Sequence, residues 1–125
     1  MKISDIRTRP MNIKTKEPFR IALGTIDTVE NLLVEVETDT GILGRGEAAA
    51  VSFISGETQA GITAAVAYLK PALTGEDPRC LQRINDLMDM LLRGNGAAKA
   101  GVDMAIHDLV ARAYDIPLYV LLGGA

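Results

Sequence analysis

The spacing of apolar residues along this chain changes once, near residue 50, and that change limits the possible folds more than any other feature. Before it, apolar and polar residues alternate through residues 28–39, with Leu32, Val34 and Val36 in one set. A period of two is typical of a β-strand that has one buried and one solvated face. After it, residues 57–122 are rich in Ala, Leu and Met at helical spacing. The chain is therefore predicted to have an α+β fold, with a sheet in residues 1–50 and helices in residues 57–122.

The sheet is predicted to be a three-stranded antiparallel meander. Asp39-Thr40-Gly41 indicates a tight turn, with Gly41 at positive φ, between the strand at 28–39 and one at about 42–49. A further strand at about 2–14 alternates poorly, because Ile3 and Ile6 would fall on opposite faces. Pro10 within it indicates an edge strand or a bulge.

Three helices and a short fourth one are predicted after the sheet. Ser55 is the candidate N-cap of the first helix, with Glu57 in its first turn. Asp77-Pro78 is predicted to open the second helix, as a cap followed by proline at the first helical position. The third is expected at about 97–114 and the fourth at Leu118–Leu122, so that a three- to four-helix bundle packs beside the sheet.

Composition excludes several classes of protein. Thirteen Lys and Arg against 16 Asp and Glu, a net charge of -3, provide no basic surface for nucleic acid or an anionic membrane. No apolar run approaches the roughly 20 residues of a membrane span, and MKISDIRTRP lacks the apolar core of a signal peptide, so we expect a cytoplasmic protein. The single cysteine, Cys80, excludes an internal disulfide. The 125 residues are half of the about 250 that a complete (β/α)8 barrel needs.

The glycine-rich run at 41–47 is not interpreted as a nucleotide site. Its spacing is GxxGxG and no helix follows directly, so Gly44 and Gly46 are interpreted as sites of close backbone approach. Glu47 could be a carboxylate ligand or a base. It has no His or second carboxylate at ligand spacing, which favours a structural partner.

The other polar residues also favour structural roles. His107, the only histidine, follows Asp103 by four residues, and Asp108 precedes Arg112 by four, so each pair is predicted on a helix surface. A zinc site or a catalytic triad would need partners that the sequence does not offer. We therefore assign no catalytic residue and no metal ligand to this chain.

Two predicted loops are unusually apolar. One, at 14–24, carries Phe19, Ile21 and Leu23, and the other, at 51–56, carries Phe53 and Ile54. Apolar side chains on a loop are expected to pack against another apolar surface. They cover either this domain's own helices or a ligand or second domain, and the sequence leaves both alternatives open.

The C-terminal segment AAKAGVDMAIHDLVARAYDIPLYVLLGG resembles the signature of the mandelate racemase/muconate lactonizing branch of the enolase superfamily. Gly44-Arg45-Gly46-Glu47-Ala48 at the end of the meander agrees with it. Matching positions within the segment include Ala98, Gly101, Asp103, Asp108, Arg112, Pro117 and Gly123.

The resemblance implies that residues 1–125 are a single N-terminal capping domain. In this family such a domain covers a C-terminal modified (β/α) barrel, which carries the catalytic lysines and three acidic Mg²⁺ ligands. The shared reaction removes a proton α to a carboxylate, with Mg²⁺ stabilising the enediolate. The barrel is absent from this chain. We therefore expect a fragment that binds no cofactor and is inactive alone, because Mg²⁺ binds to the barrel of the full-length enzyme.

Within the family, Lys16-Glu17-Pro18-Phe19-Arg20 and Ile54-Ser55-Gly56-Glu57 look most like dipeptide epimerases, such as those acting on L-Ala-D/L-Glu. In that type a basic residue often occupies the position of Gly24, and here Arg20 is the candidate for binding a substrate carboxylate. The resemblance implies these substrate-specificity residues: Phe19, Arg20, Ile21, Leu23, Gly24, Phe53 and Ile54.

Other functions remain open from the sequence. A muconate cycloisomerase, an o-succinylbenzoate synthase-like enzyme and a freestanding, non-enzymatic interaction module are the alternatives. The expected partners are the C-terminal barrel domain and a small carboxylate or dipeptide substrate. A second copy of the chain is also expected as a partner, because exposed apolar surface favours a homo-oligomer.

Overall fold

A three-stranded antiparallel sheet lies beside four helices. The structure, a computed structural model, describes residues 1–124. The strands are β1 (Ile3–Ile21), β2 (Gly24–Thr38) and β3 (Leu43–Ala48), in the order β1-β2-β3. The helices are α1 (Gln59–Leu73), α2 (Leu81–Leu91), α3 (Gly96–Ala113) and α4 (Leu118–Leu121). The predicted α+β fold, a meander followed by helices, is confirmed.

The core lies between one face of the sheet and the first three helices. The even-numbered residues of β2 face the helices, and Leu32, Val34 and Val36 are completely buried there. The turn after β2 is also as predicted, with Gly41 at φ 81°. Each helix contributes an apolar stripe to the same core, with these fully buried members among others: Ile62, Leu69, Ile84, Met88, Val102 and Leu109.

β1 carries a bulge near its start that sequence alternation alone could not reveal. Ile3 pairs with Thr38, whereas Asp5 pairs with Glu37, so β1 holds one extra residue between these pairs. One extra residue moves the following side chains to the other face of the sheet. Ile3 and Ile6 are therefore both buried, and the prediction that they lie on opposite faces is wrong.

A larger irregularity replaces the loop predicted at 14–24. Lys14 pairs with Thr28 and Phe19 pairs with Ile26, so five steps along β1 match two along β2. Pro18 lies within this bulge, where it removes no ladder hydrogen bond. Pairing then resumes as far as Ile21 opposite Gly24. The loop prediction is wrong, because β2 continues the ladder past the bulge and forms a long hairpin with β1.

Two helix starts also differ from the prediction. Thr58, not Ser55, is the N-cap of α1, and its Oγ1 accepts a hydrogen bond from Gly61 N at 3.0 Å. Glu57 therefore lies outside α1. Asp77 does not open α2, because its carboxylate instead accepts hydrogen bonds from the backbone and guanidinium of Arg79. Such a local bond holds the chain in a turn, and α2 begins at Leu81.

β3 and α3 approach so closely that their backbones touch. A Cβ at Gly46 would lie 2.1 Å from Gly101 O, and one at Gly44 would lie 2.1 Å from Ala105 O. Neither position has space for any side chain. The interpretation of Gly44 and Gly46 as sites of close backbone approach is confirmed.

We predict that Gly46→Ala lowers the free energy of unfolding by about 3 kcal/mol, because the new methyl group meets backbone that cannot move aside. Gly96→Ala is the matched control. Nothing lies within 4 Å of a Cβ at Gly96, the first residue of α3, so this change should be neutral or slightly stabilising. Urea denaturation followed by circular dichroism measures both. Equal effects of the two substitutions would contradict the close approach.

Candidate functional site

The two apolar segments of the sequence meet at one end of the domain. The hairpin tip, residues 19–26, lies beside the segment at 51–56, which joins β3 to α1. The ring of Phe53 faces Gly24, where a Cβ would lie 3.6 Å from two ring carbons. A cavity of about 210 Å³ separates residues 25–31 of β2 from residues 50–53. The fold therefore brings Gly24 and Phe53 together from segments far apart in sequence.

Most of the apolar side chains at this end are exposed. Phe19 is 58% exposed, Leu23 68%, Phe53 43% and Ile54 60%, while Ile21 is half-buried. The helices of this domain do not cover them. Of the two alternatives that the sequence left open, this exposure favours a ligand or a second domain.

Arg20 lies on the opposite face of the hairpin from this apolar surface. Residues directly opposite each other on antiparallel strands share a face. Ile21 pairs with Gly24, which faces Phe53, and Phe19 lies on the same face two residues away. Arg20 pairs with Thr25 and points away from them. The sequence grouped Arg20 with Phe19 and Ile21, whereas the strand register separates it from them.

A second concave surface lies on the other face of the sheet. A groove of about 580 Å³ runs between the sheet, α3 and α4, and most of its lining is apolar. Its apolar side chains come from all three parts of the fold: Met11, Leu33, Met104, Leu118 and Leu122. Leu122 is 64% exposed and Met104 44%. This surface, which we call the outer groove, is thus an open apolar patch.

The polar groups near the outer groove are paired with one another. Glu47 Oε1 accepts a hydrogen bond from Asn31 Nδ2 at 2.7 Å, so its structural partner is Asn31. His107 Nδ1 lies 3.5 Å from the Asp103 carboxylate. Asp108 Oδ2 accepts from Arg112 Nε at 3.0 Å and from the backbone of Arg45 at 2.9 Å. The two predicted helix-surface pairs are confirmed.

The described residues do not fit a metal site. Among residues 1–124 no group of three or more His, Cys, Asp or Glu side chains could hold a metal ion. A divalent cation such as Mg²⁺ needs several oxygen ligands in one place. No helix within this part of the chain is long and apolar enough to cross a membrane.

Glu35 forms a buried ion cluster that strand alternation does not predict. Strand alternation placed it on the solvated face, yet its side chain is only 1% exposed. Arg9 Nη2 donates to Glu35 Oε2 at 2.6 Å, and Arg45 Nε donates to Oε1 at 3.2 Å. The hydrogen bond from Arg9, followed by that from Arg45, holds the pKa of Glu35 below its ordinary value despite burial, which opposes the shift. Arginines at cross-strand positions on the same face were the available signal.

Comparison with known proteins gives one consistent family. Residues 3–123 match the family described as mandelate racemase / muconate lactonizing enzyme, N-terminal domain. The chain is 41% identical over 124 residues to a hydrophobic dipeptide epimerase of Enterococcus faecalis, an alignment that covers 99% of this chain and 35% of the relative. It is 36% identical over 125 residues to an L-Ala-D/L-Glu epimerase of Clostridium acetobutylicum, again covering 99% and 35%.

A solved structure agrees with these relatives. The crystal structure of a dipeptide epimerase from Enterococcus faecalis, complexed with Mg and the dipeptide L-Leu-L-Tyr, superposes with a TM-score of 0.95 at 41% identity. That superposition covers 99% of this chain and 35% of the other. The chain therefore spans about a third of the length of the relatives that it matches.

We predict that Glu35→Gln lowers the free energy of unfolding at neutral pH by about 2 kcal/mol, because a charge-assisted buried cluster is lost. The folded-state pKa of Glu35 lies below its ordinary value of 4.5. Its contribution is therefore complete above about pH 4.5 and is lost as the pH falls through the lowered pKa. Glu35→Gln should make stability less dependent on pH in that acidic range, as measured by urea denaturation at several pH values.

The control for this prediction is Glu37→Gln on the same strand and face. Glu37 pairs with Arg7 at 2.8 Å but is 38% exposed, so its loss should cost less than about 1 kcal/mol. A larger loss for Glu37→Gln than for Glu35→Gln would count against the buried cluster as the stronger contribution.

Proposed function

We propose that this chain, which belongs to the family of N-terminal domains of mandelate racemase / muconate lactonizing enzymes, caps the active site of a dipeptide epimerase. The observation that carries the proposal is the meeting of two exposed apolar segments, at Gly24 and Phe53, at one end of the domain. Such a surface suits the exclusion of water from a substrate and contact with its side chain. The matched relatives that are named for dipeptides support this substrate class.

In this proposal the domain performs no proton transfer. The described residues hold no cluster of potential metal ligands, and the polar side chains near the outer groove are engaged with one another. We propose that proton transfer and Mg²⁺ binding belong to a C-terminal domain. This domain's role is to exclude water and to contact parts of the substrate remote from the reacting carbon, which is where specificity arises.

We place the C-terminal domain against the outer groove. That groove is lined by Leu118, the first residue of α4, and by Leu122, the residue directly after α4. Chain that follows α4 therefore leaves the domain beside this open apolar surface. Burying it in a domain interface removes apolar area from water, which stabilises the assembled protein.

For the substrate side chain we propose an apolar residue. The face of the hairpin that meets Phe53 carries Phe19 and Ile21, whereas Arg20 lies on the other face. A substrate carboxylate held by Arg20 would lie apart from the apolar surface. An Ala-Glu-type substrate bound through Arg20 is the alternative that the second experiment below decides.

The first experiment uses the complete reading frame that contains this chain. We expect the continuation to encode a Lys-x-Lys strand followed by spaced Asp and Glu residues. The complete protein should epimerise dipeptides and exchange their α-proton with solvent deuterium in the presence of Mg²⁺, and chelation should abolish both activities. Residues 1–125 alone should show neither. A frame that ends without these residues would instead favour the freestanding interaction module.

The second experiment compares Phe53→Ala with Arg20→Ala in the complete protein. We expect Phe53→Ala to lower kcat/KM for dipeptides with a large apolar second residue by about tenfold, with little effect on L-Ala-L-Glu. Arg20→Ala should change neither value by more than about twofold. If Arg20→Ala selectively weakened turnover of L-Ala-L-Glu, the acidic substrate class would replace the apolar one.

A further inference from the structure

Glu57 performs for α3 the role of an N-cap from a distant part of the chain. Its carboxylate accepts hydrogen bonds from Ala97 N at 2.9 and 3.1 Å and from Ala98 N at 3.2 Å. Ala97 and Ala98 are the second and third residues of α3. The N–H groups at these positions lack partners within a helix, and an N-cap side chain normally satisfies them.

The residues next to α3 do not supply this cap. Asn95, at the N-cap position, has φ 54° and makes no capping hydrogen bond through its side chain within the described part of the chain. The first turn of α3 contains no acidic residue. A carboxylate at a helix N-terminus also interacts favourably with the positive end of the helix dipole. Glu57 therefore ties its own segment to α3, 40 residues away.

The same stretch of chain is held from a second side. Gln59 Nε2 donates to Asn12 Oδ1 at 2.8 Å and to Asn31 O at 2.9 Å, which attaches the start of α1 to β1 and β2. Gly56, at φ 74°, turns the chain directly before Glu57. The segment at 51–56 is thus connected to β3 at one end and held by Glu57 and Gln59 at the other.

The segment that Glu57 attaches to α3 is the one that carries the Phe53 ring. α3 packs on β3 through touching backbones, so the two elements form one rigid support. Glu57 attaches the far end of the segment to that support, while Phe53 lies against Gly24 of the hairpin tip. Without the Glu57 hydrogen bonds, the segment would lose its connection to α3 and Phe53 could move relative to the hairpin.

We propose that Glu57 is a positioning residue for substrate selection, which by capping α3 holds Phe53 and its segment against the hairpin tip. The proposal rests on the dipeptide epimerase function above and deepens it. Glu57 does not contact the substrate in this scheme. It acts through Phe53, and its removal should change the choice between substrates more than the chemistry itself.

The test compares Glu57→Ala, Glu57→Gln and the matched control Thr58→Ala in the complete protein. Thr58→Ala removes the neighbouring cap of α1, whose loss should lower stability to a similar degree without releasing the segment from α3. The substrates are L-Ala-L-Phe and L-Ala-L-Ala. In Glu57→Ala the ratio of their kcat/KM values should fall about tenfold, mainly through KM for L-Ala-L-Phe. It should stay unchanged in Thr58→Ala and fall less in Glu57→Gln, whose amide oxygen still accepts a hydrogen bond.

A second readout does not depend on activity. The backbone amides of Ile54 and Ser55 both donate to Val51 O within the segment, at 3.0 and 2.9 Å. Their hydrogen–deuterium exchange should accelerate about tenfold in Glu57→Ala relative to Thr58→Ala. Faster exchange in a protein that turns over no dipeptide would support the attachment and refute only the epimerase function. Equal exchange in the two variants, or an equal substrate ratio in an active protein, would overturn the proposal.

Discussion

The contact between the backbones of β3 and α3 is the constraint on which the arrangement of α3, α4 and the segment at 51–56 depends. Gly44 and Gly46 on the strand and Gly101 on the helix leave no space for side chains between them. The positions of the segments that are connected to β3 and α3 depend on how these two elements pack. The segment at 51–56 starts after β3, Glu57 returns to the start of α3, and α4 follows the end of α3 beside the outer groove. The segment at 51–56 and the outer groove are therefore both built on one helix–strand contact.

The orientation of the hairpin tip depends on a different constraint, the number of extra residues in β1. Three extra residues between Lys14 and Phe19 exchange the faces of the strand, because five steps on β1 match two on β2. As a result Phe19 and Ile21 face the side where Phe53 lies. With an even number of extra residues, Arg20 would face that side instead. A bulge thus decides whether this end of the domain presents apolar or charged groups.

Charged and apolar side chains adjoin one another on the outer face of the sheet. Arg9 and Arg45 form ion pairs with the buried Glu35, and Arg7 lies 3.9 Å from it, although all three arginine side chains remain partly exposed. Arg45 also lines the outer groove, most of whose lining is apolar. The charged part of the face stabilises the sheet internally, and the apolar part is the surface suited to a second domain.

The sequence by itself determined the elements whose signals are local. The alternation of Leu32, Val34 and Val36, the turn at Gly41 and the helical spacing after residue 57 each depend on neighbours a few residues away, and the structure has them as predicted. Only the tertiary structure decided the burial of Glu35, the facing of Phe19 and the contact of Glu57 with α3. Each of these depends on residues brought from another strand or helix, 40 positions away for Glu57. Spacing within one segment carries no information about such partners, because strand register and helix packing are properties of the whole folded chain.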